Sequence, residues 1–190
     1  MSRKPNNKIK EEILEKVLSV LSQNGLNNLS LRDIARETGV SARMLIYHFD
    51  SYEKLINSIF IHLSIKHKNI LKNLLSEHSN ESLGDVSQIY LETIFKDENK
   101  NSLLLFLELY TKALRDVKKY DNFFNEVLYN WINEVEIIIN NKIGIDSTKY
   151  AIIFVSFYRG LMLDWLATND EKRTIESGRA FSDLINVSSG

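Results

Sequence analysis

The chain has 190 residues, 44% of them hydrophobic, with 24 Lys and Arg against 25 Asp and Glu, one proline and no cysteine. This is the balance of a folded, helix-rich protein, large enough for one good core or a small module joined to a larger one. The lack of cysteine excludes a disulfide framework, a thiol nucleophile, zinc–thiolate sites and iron–sulfur clusters, and points to a reducing cytoplasm. The opening MSRKPNNKIKEEIL lacks a signal-peptide core, and the longest unbroken apolar runs, Leu103–Leu107 and Ala151–Val155, fall far short of the roughly 18 residues of a membrane span; no membrane association is expected.

Net charge is −1, but residues 1–50 hold eight Lys and Arg against six acids, so that +2 sits there and −3 on the remainder. The asymmetry is a mild pointer to nucleic acid at the N-terminal end. No segment sustains period-two alternation, and Gly25, Gly39, Gly84 and Gly144 fall between or at the edges of helical patterns. Nine helices are predicted, at about 7–24, 31–37, 42–48, 52–78, 82–97, 100–116, 121–141, 147–168 and 171–187. The fold class is all-α: a three-helix head (residues 1–51) joined by a long fourth helix to a C-terminal helical bundle (residues 52–190).

In the first helix Ile9, Ile13, Leu14, Val17, Leu18 and Leu21 recur at spacings of three and four, and Asn24-Gly25 closes it. Ser30 before Leu31-Arg32-Asp33 is a capping-box variant: the hydroxyl caps the Asp33 amide, and the Asp33 carboxylate sits in the positively polarised first turn. Ser41, after Gly39-Val40, caps the next helix in the same way. Two helices of about seven residues are too short to stand alone. They need packing, with Ile34, Ala35, Val40 and Leu45 placed to meet the first helix. This is a helix-turn-helix, in which one helix braces on the DNA backbone and the next enters the major groove.

The stretch LSLRDIARETGVSARMLIYHFDSYEKL, residues 29–55, resembles the DNA-binding region of the TetR family of transcriptional regulators. The matching elements are Leu-Arg-Asp-Ile-Ala, Gly-Val-Ser, an aromatic-His-Phe ending, and Ser-x-Glu-x-Leu opening a long helix. The family's length and all-helical plan fit the whole chain more loosely. The resemblance implies that Arg32 reaches a base edge, where its fork suits guanine O6 and N7, and that Ser41, Ala42, Arg43 and Ile46 form the base-reading side. It also implies that Tyr47 and His48 bond phosphates, positioning the module without reading sequence. Leu45 and Phe49 look like the core side, and Met44 fits groove or core equally. Two positions depart from the family pattern: Ile46 stands where an aromatic residue is frequent, and Tyr52 where a basic residue is common, so that phosphate contact passes to the Tyr52 hydroxyl or to Lys54.

Beyond the head, Tyr150–Trp165 carries apolar residues on several sides and is expected to be buried all round. The last helix offers Ile175, Gly178, Phe181 and Ile185 as a stripe, with Gly178 permitting close approach. The resemblance implies a homodimer through the last two helices, and a two-fold palindromic operator in double-stranded DNA independently needs two heads about one turn apart. It also implies a small-molecule effector in the helical domain, coupled to head separation through the fourth helix. Candidate pocket residues are Phe106, Glu108, Tyr110, Trp131, Phe154 and Tyr158; an acid among aromatic rings would favour a cationic aromatic ligand. For Glu108 the competing reading is exposure to solvent or pairing with an arginine. Repression is the expected mode.

Two rival functions compete. A di-iron bundle enzyme needs Glu-x-x-His pairs, but the residues three before His48, His62, His67 and His78 are Leu45, Ile59, Ser64 and Leu75. No phosphate loop, nucleophile elbow or zinc-protease helix is present either, so neither metal, cofactor nor catalysis is expected. The other rival is a helical scaffold or interaction protein whose head no longer binds DNA.

Overall fold

The computed structural model describes residues 7–26, 29–120, 124–143 and 148–188. Among these residues there are nine α-helices and no strand: α1 (Asn7–Asn24), α2 (Leu31–Thr38), α3 (Ala42–Phe49), α4 (Tyr52–Glu77), α5 (Leu83–Ile94), α6 (Lys100–Arg115), α7 (Asn130–Ile143), α8 (Thr148–Thr168) and α9 (Glu171–Ser188). The predicted order and type of elements are those observed. Boundaries differ in two places. The fifth helix stops at Ile94 because Asn99 donates its side-chain amide to the carbonyls of Thr93 (3.2 Å) and Ile94 (3.1 Å), ending the helix before a 3-10 turn at Asp97–Asn99. The predicted 121–141 helix contains a π-helical turn at Asn125–Tyr129 that runs into α7; over a single turn, Phe124, Val127 and Leu128 fit either winding. Its expected start at 121, and that of the next helix at 147, lie outside the described residues.

Packing divides the chain into two compact units, Met1–Ile65 with Asn101–Phe124, and Lys66–Lys100 with Asn125–Gly190. The functional boundary expected at 51/52 is not the division that packing makes. The reason is that α4 only begins at Tyr52 and its first half packs with the head, as does α6: the Leu26 N–H donates to Glu108 Oε2 at 2.7 Å, and the Phe106 ring lies 5.0 Å from Phe60. In this first unit Ile13, Leu14, Val17, Leu18 and Leu21 of α1 are buried, as are Ile34, Leu45, Phe49, Leu55, Ile59, Phe60 and Leu63.

In the second unit α5 and α9 make the densest helix pair. The Gly84 N–H donates to Asn186 Oδ1 at 3.2 Å, and a Cβ at Gly84 would stand 2.5 Å from both that oxygen and the Ser182 carbonyl. A Cβ at Gly178 would collide with the Leu91 side chain, so the close approach expected of Gly178 is to α5 of the same chain. An aromatic cluster fills the neighbouring core: Phe157 stacks on Phe181 at 3.8 Å, Phe154 lies 4.7 Å from Tyr158, and the Tyr158 hydroxyl donates to the Ser87 carbonyl at 2.9 Å.

Helix α8 is not buried all round. Ala151, Phe154, Tyr158, Leu161 and Trp165 face the core, whereas Ile152, Ile153 and Leu163 are about half exposed, because a 3.6-residue period puts them on the opposite side. By length and composition α8 is apolar enough to cross a bilayer, which unbroken-run counting missed; the single charges of Arg159 and Asp164 interrupt its runs without making it polar.

His67 of α4 keeps some exposed area, yet burial, with Lys66 adding, pushes its pKa from 6.5 down to about 4. The unfolded chain therefore binds more protons between those values, so stability is lost as pH falls from 6.5 toward 4. Discounting for the ring's remaining contact with water, we expect the loss to be about 1 kcal/mol. His67→Gln should remove this pH dependence when urea midpoints are compared at neutral and acid pH. Gly84→Ala should cost about 1–3 kcal/mol in the same assay, because the Ser182 carbonyl it meets is backbone and cannot rotate away.

Candidate nucleic-acid interface

The local chemistry of the head explains how two eight-residue helices hold their places. Ser30 Oγ accepts from the Asp33 N–H (3.3 Å) while the Ser30 N–H donates to Asp33 Oδ2 (3.0 Å), completing the reciprocal box that the sequence suggested. The Ser30 hydrogen bond holds the Asp33 carboxyl below its ordinary range. Gly39, at φ +67°, ends α2 in the left-handed region, where a glycine carries no Cβ penalty. Within the turn the Thr38 hydroxyl donates to the Ile34 carbonyl (2.7 Å) and accepts from the Val40 N–H (3.3 Å). Ser41 Oγ then accepts from the Met44 N–H (3.2 Å) to start α3, and Ser51 Oγ accepts from the Lys54 N–H (3.2 Å) to start α4.

With Ile34, Leu45 and Phe49 facing inward, Arg32 at the start of α2, and Ser41, Arg43, Ile46 and Tyr47 around α3, are exposed; Ala42 is half-buried. Met44, which the sequence left open, is 37% exposed and with Ile9, Ile13, Val40 and Ser41 lines a shallow cleft of about 270 Å³ against α1. His48 does not join the exposed set. It is 7% exposed, its ring edge-on to Tyr47 at 5.0 Å, and its Nδ1 has no hydrogen-bond partner among the described residues. It shares the inward side of α3 with Leu45 and Phe49, since positions three and four apart face one way.

The residues assigned to the start of α4 are already engaged. Lys54 Nζ lies 2.9 Å from Asp50 Oδ2, and that hydrogen bond holds the Asp50 carboxyl low. Tyr52 is half-buried, with Lys112 Nζ 5.3 Å above its ring, and burial raises its hydroxyl pKa. Beside it Lys119 Nζ lies 2.9 Å from Glu53 Oε1; the same hydrogen bond lowers the acid and raises the amine. Sequence reading missed Lys112 and Lys119, because nothing local signals a contact across some sixty residues.

The six pocket candidates do not share one environment. Phe106 and Tyr110 are half-buried in the first unit, their rings 6.0 Å apart. Trp131, half-buried, and Phe154 and Tyr158, both buried, belong to the second unit, the last two in the aromatic core. Glu108 follows neither reading offered from sequence fully. It is exposed, but its carboxylate takes the Leu26 backbone N–H after α1 instead of an arginine.

This geometry defines an all-helical helix-turn-helix protein. Residues 13–59 match the profile of bacterial regulatory proteins of the tetR family. The biofilm operon icaADBC HTH-type negative transcriptional regulator IcaR of Staphylococcus aureus (strain Newman) is 29% identical over 96 residues, covering 48% of this chain and 49% of that protein. The chain thus spans about half the length of the curated relatives it matches. In fold it is similar to a Rhodococcus sp. protein described as a TetR-family transcriptional regulator (TM-score 0.77, 20% identity, 94% of this chain and 98% of that one). It is also similar to the multidrug binding protein EbrR complexed with imidazole (TM-score 0.68, 21% identity, 92% and 93%). Residues 13–59 are thus similar to the DNA-binding region of tetR-family regulators, and the fold is that of the solved structures just named.

Glu108→Ala should leave the Leu26 N–H without its charged acceptor and lower unfolding stability by about 1–2 kcal/mol. Glu108→Gln, which keeps an acceptor oxygen, should recover much of the loss in the same urea titration.

Proposed function

We propose that this protein is a ligand-responsive repressor that binds a palindromic operator as a homodimer in the cytoplasm and catalyses no reaction. The carrying observation is the one-sided division of α2 and α3: Arg32, Arg43, Ile46 and Tyr47 are exposed while Ile34, Leu45 and Phe49 are buried beneath them. An exposed helix face bearing a guanidinium fork, an apolar contact and a phenol is what a major groove accepts. In this reading Arg43 and Arg32 read base edges, Ser41, Ala42 and Ile46 line the groove, and Tyr47 takes a phosphate. His48 supports Tyr47 from below, and Tyr52 and Lys54 lie at the phosphate backbone.

The exposed apolar face of α8, with Ile152, Ile153 and Leu163, and exposed Leu184 on α9 support dimerisation through these two helices. The effector is a small aromatic molecule, a class suggested by the likeness in fold to EbrR, which is described as a multidrug binding protein and is also known with ethidium. Half-buried Phe106 and Tyr110 are the rings we assign to it, with Trp131, Phe154 and Tyr158 as the remaining aromatic candidates. Such a ligand releases DNA only by binding the DNA-incompetent conformation more tightly, because equal affinity for both shifts nothing.

The test is fluorescence anisotropy with a duplex from immediately upstream of the gene, for wild type and Arg43→Ala. The expected result is tight binding that Arg43→Ala weakens by about 1–3 kcal/mol on this duplex and hardly at all on random DNA. Equal binding of both proteins to both duplexes would overturn the assignment of Arg43.

A further inference from the structure

The first turn of α4 presents a puzzle of charge. Residues 50–54 hold Asp50, Glu53 and Lys54, a net −1, and Lys54 is tied to Asp50. An end of the head that meets phosphates should not be negative. The end of α6 and the turn after it change this balance. Residues 112–119, KALRDVKK, carry Lys112, Arg115, Lys118 and Lys119 against Asp116, a net +3. They belong to the same compact unit as the head and are fixed on the start of α4 at two points, Lys112 over the Tyr52 ring (5.3 Å) and Lys119 on Glu53 (2.9 Å).

These two contacts leave Arg115 and Lys118 exposed, with no acid paired to either among the described residues. Arg115 in the last turn of α6 also complements the helix dipole, but Lys118 lies beyond the helix end and gains nothing from it. Two exposed cations thus sit in a segment fixed beside the start of α4, next to Tyr52 and Glu53.

We propose that the segment from Lys112 to Lys119 is a second DNA-contacting surface, in which Arg115 and Lys118 bind backbone phosphates flanking the bases read by α3. The inference rests on the reading of the head as a DNA-binding module. Phosphate contacts carry no sequence information, so the segment adds affinity and salt dependence without changing which operator is chosen. Lys112 and Lys119 act as its anchors, each neutralising or covering a group at the start of α4 that phosphate would otherwise meet.

The test measures the slope of log Kd against log salt for the full-length protein on a 40-bp duplex (about four helical turns) enriched from a random pool on the wild type. Each lost phosphate contact should lower the slope by about 0.9, so Arg115→Ala/Lys118→Ala should lower it by about 2 per head. Affinity should fall by about the same factor on the enriched and on a scrambled duplex, whereas Arg43→Ala should penalise the enriched duplex alone. Arg115→Lys/Lys118→Arg, which keeps both charges, should restore the wild-type slope, and trimming the duplex flanks should cost the wild type more than the double alanine variant. An unchanged slope in that variant, with Arg43→Ala still losing discrimination, would overturn this proposal and leave the head reading intact. The segment, with Leu114 and Val117 exposed beside its cations, would then be a contact for an acidic protein partner. Failure of the wild type to enrich any sequence would overturn both.

Discussion

Helices of eight residues have no stability of their own. Nucleation fixes about six dihedrals for one hydrogen bond, so α2 and α3 exist only because something outside them repays that cost. Three things do so here. Ser30 and Ser41 satisfy orphan amides at the starts, Gly39 and the Thr38 hydroxyl hold the turn between them, and Ile34, Leu45 and Phe49 are buried on their inward sides. Residues spent on this task are unavailable for an outside partner, and Arg32, Arg43, Ile46 and Tyr47 are left facing outward. The exposed face of the head is thus the remainder of a packing problem, and His48 falls on the packing side of it.

The same constraint explains why the head is larger than its motif. A three-helix module buries little surface. Helix α6 adds to it through Phe106 on Phe60, Glu108 on the Leu26 amide and Lys119 on Glu53. These contacts make α6 a structural member of the compact unit that holds the helix-turn-helix. Any change in the path of α6 is then felt directly at the α1–α2 connection and at the start of α4, without requiring α4 alone to act as lever.

What the sequence disclosed follows the range of the interaction concerned. The caps at Ser30 and Ser41, the glycine turn at Gly39 and the buried stripe of α1 are local patterns, readable within four or five residues. The close approach at Gly178 was legible, but its partner was not: small size signals proximity without saying to what, and α5 proved to be the answer. The π-helical turn at Asn125–Tyr129 escaped because a single turn cannot distinguish two helical periods. Sequence left Glu108 as either a ligand group among aromatic rings or an acid facing solvent or an arginine; it is exposed, yet bonds a backbone amide 82 residues away. Composition alone also overstated the burial of α8, since the apolar count does not say which side of a helix its own chain covers, and Ile152, Ile153 and Leu163 stay exposed.

The central claim is that two copies of this head read DNA from one side. Hydroxyl-radical and base-methylation footprinting on an enriched duplex tests it most directly. The account requires two protected major-groove patches on one face, about one helical turn or a multiple of it apart and related by two-fold symmetry. A single unpaired patch, or uniform weak protection along the duplex, would contradict it.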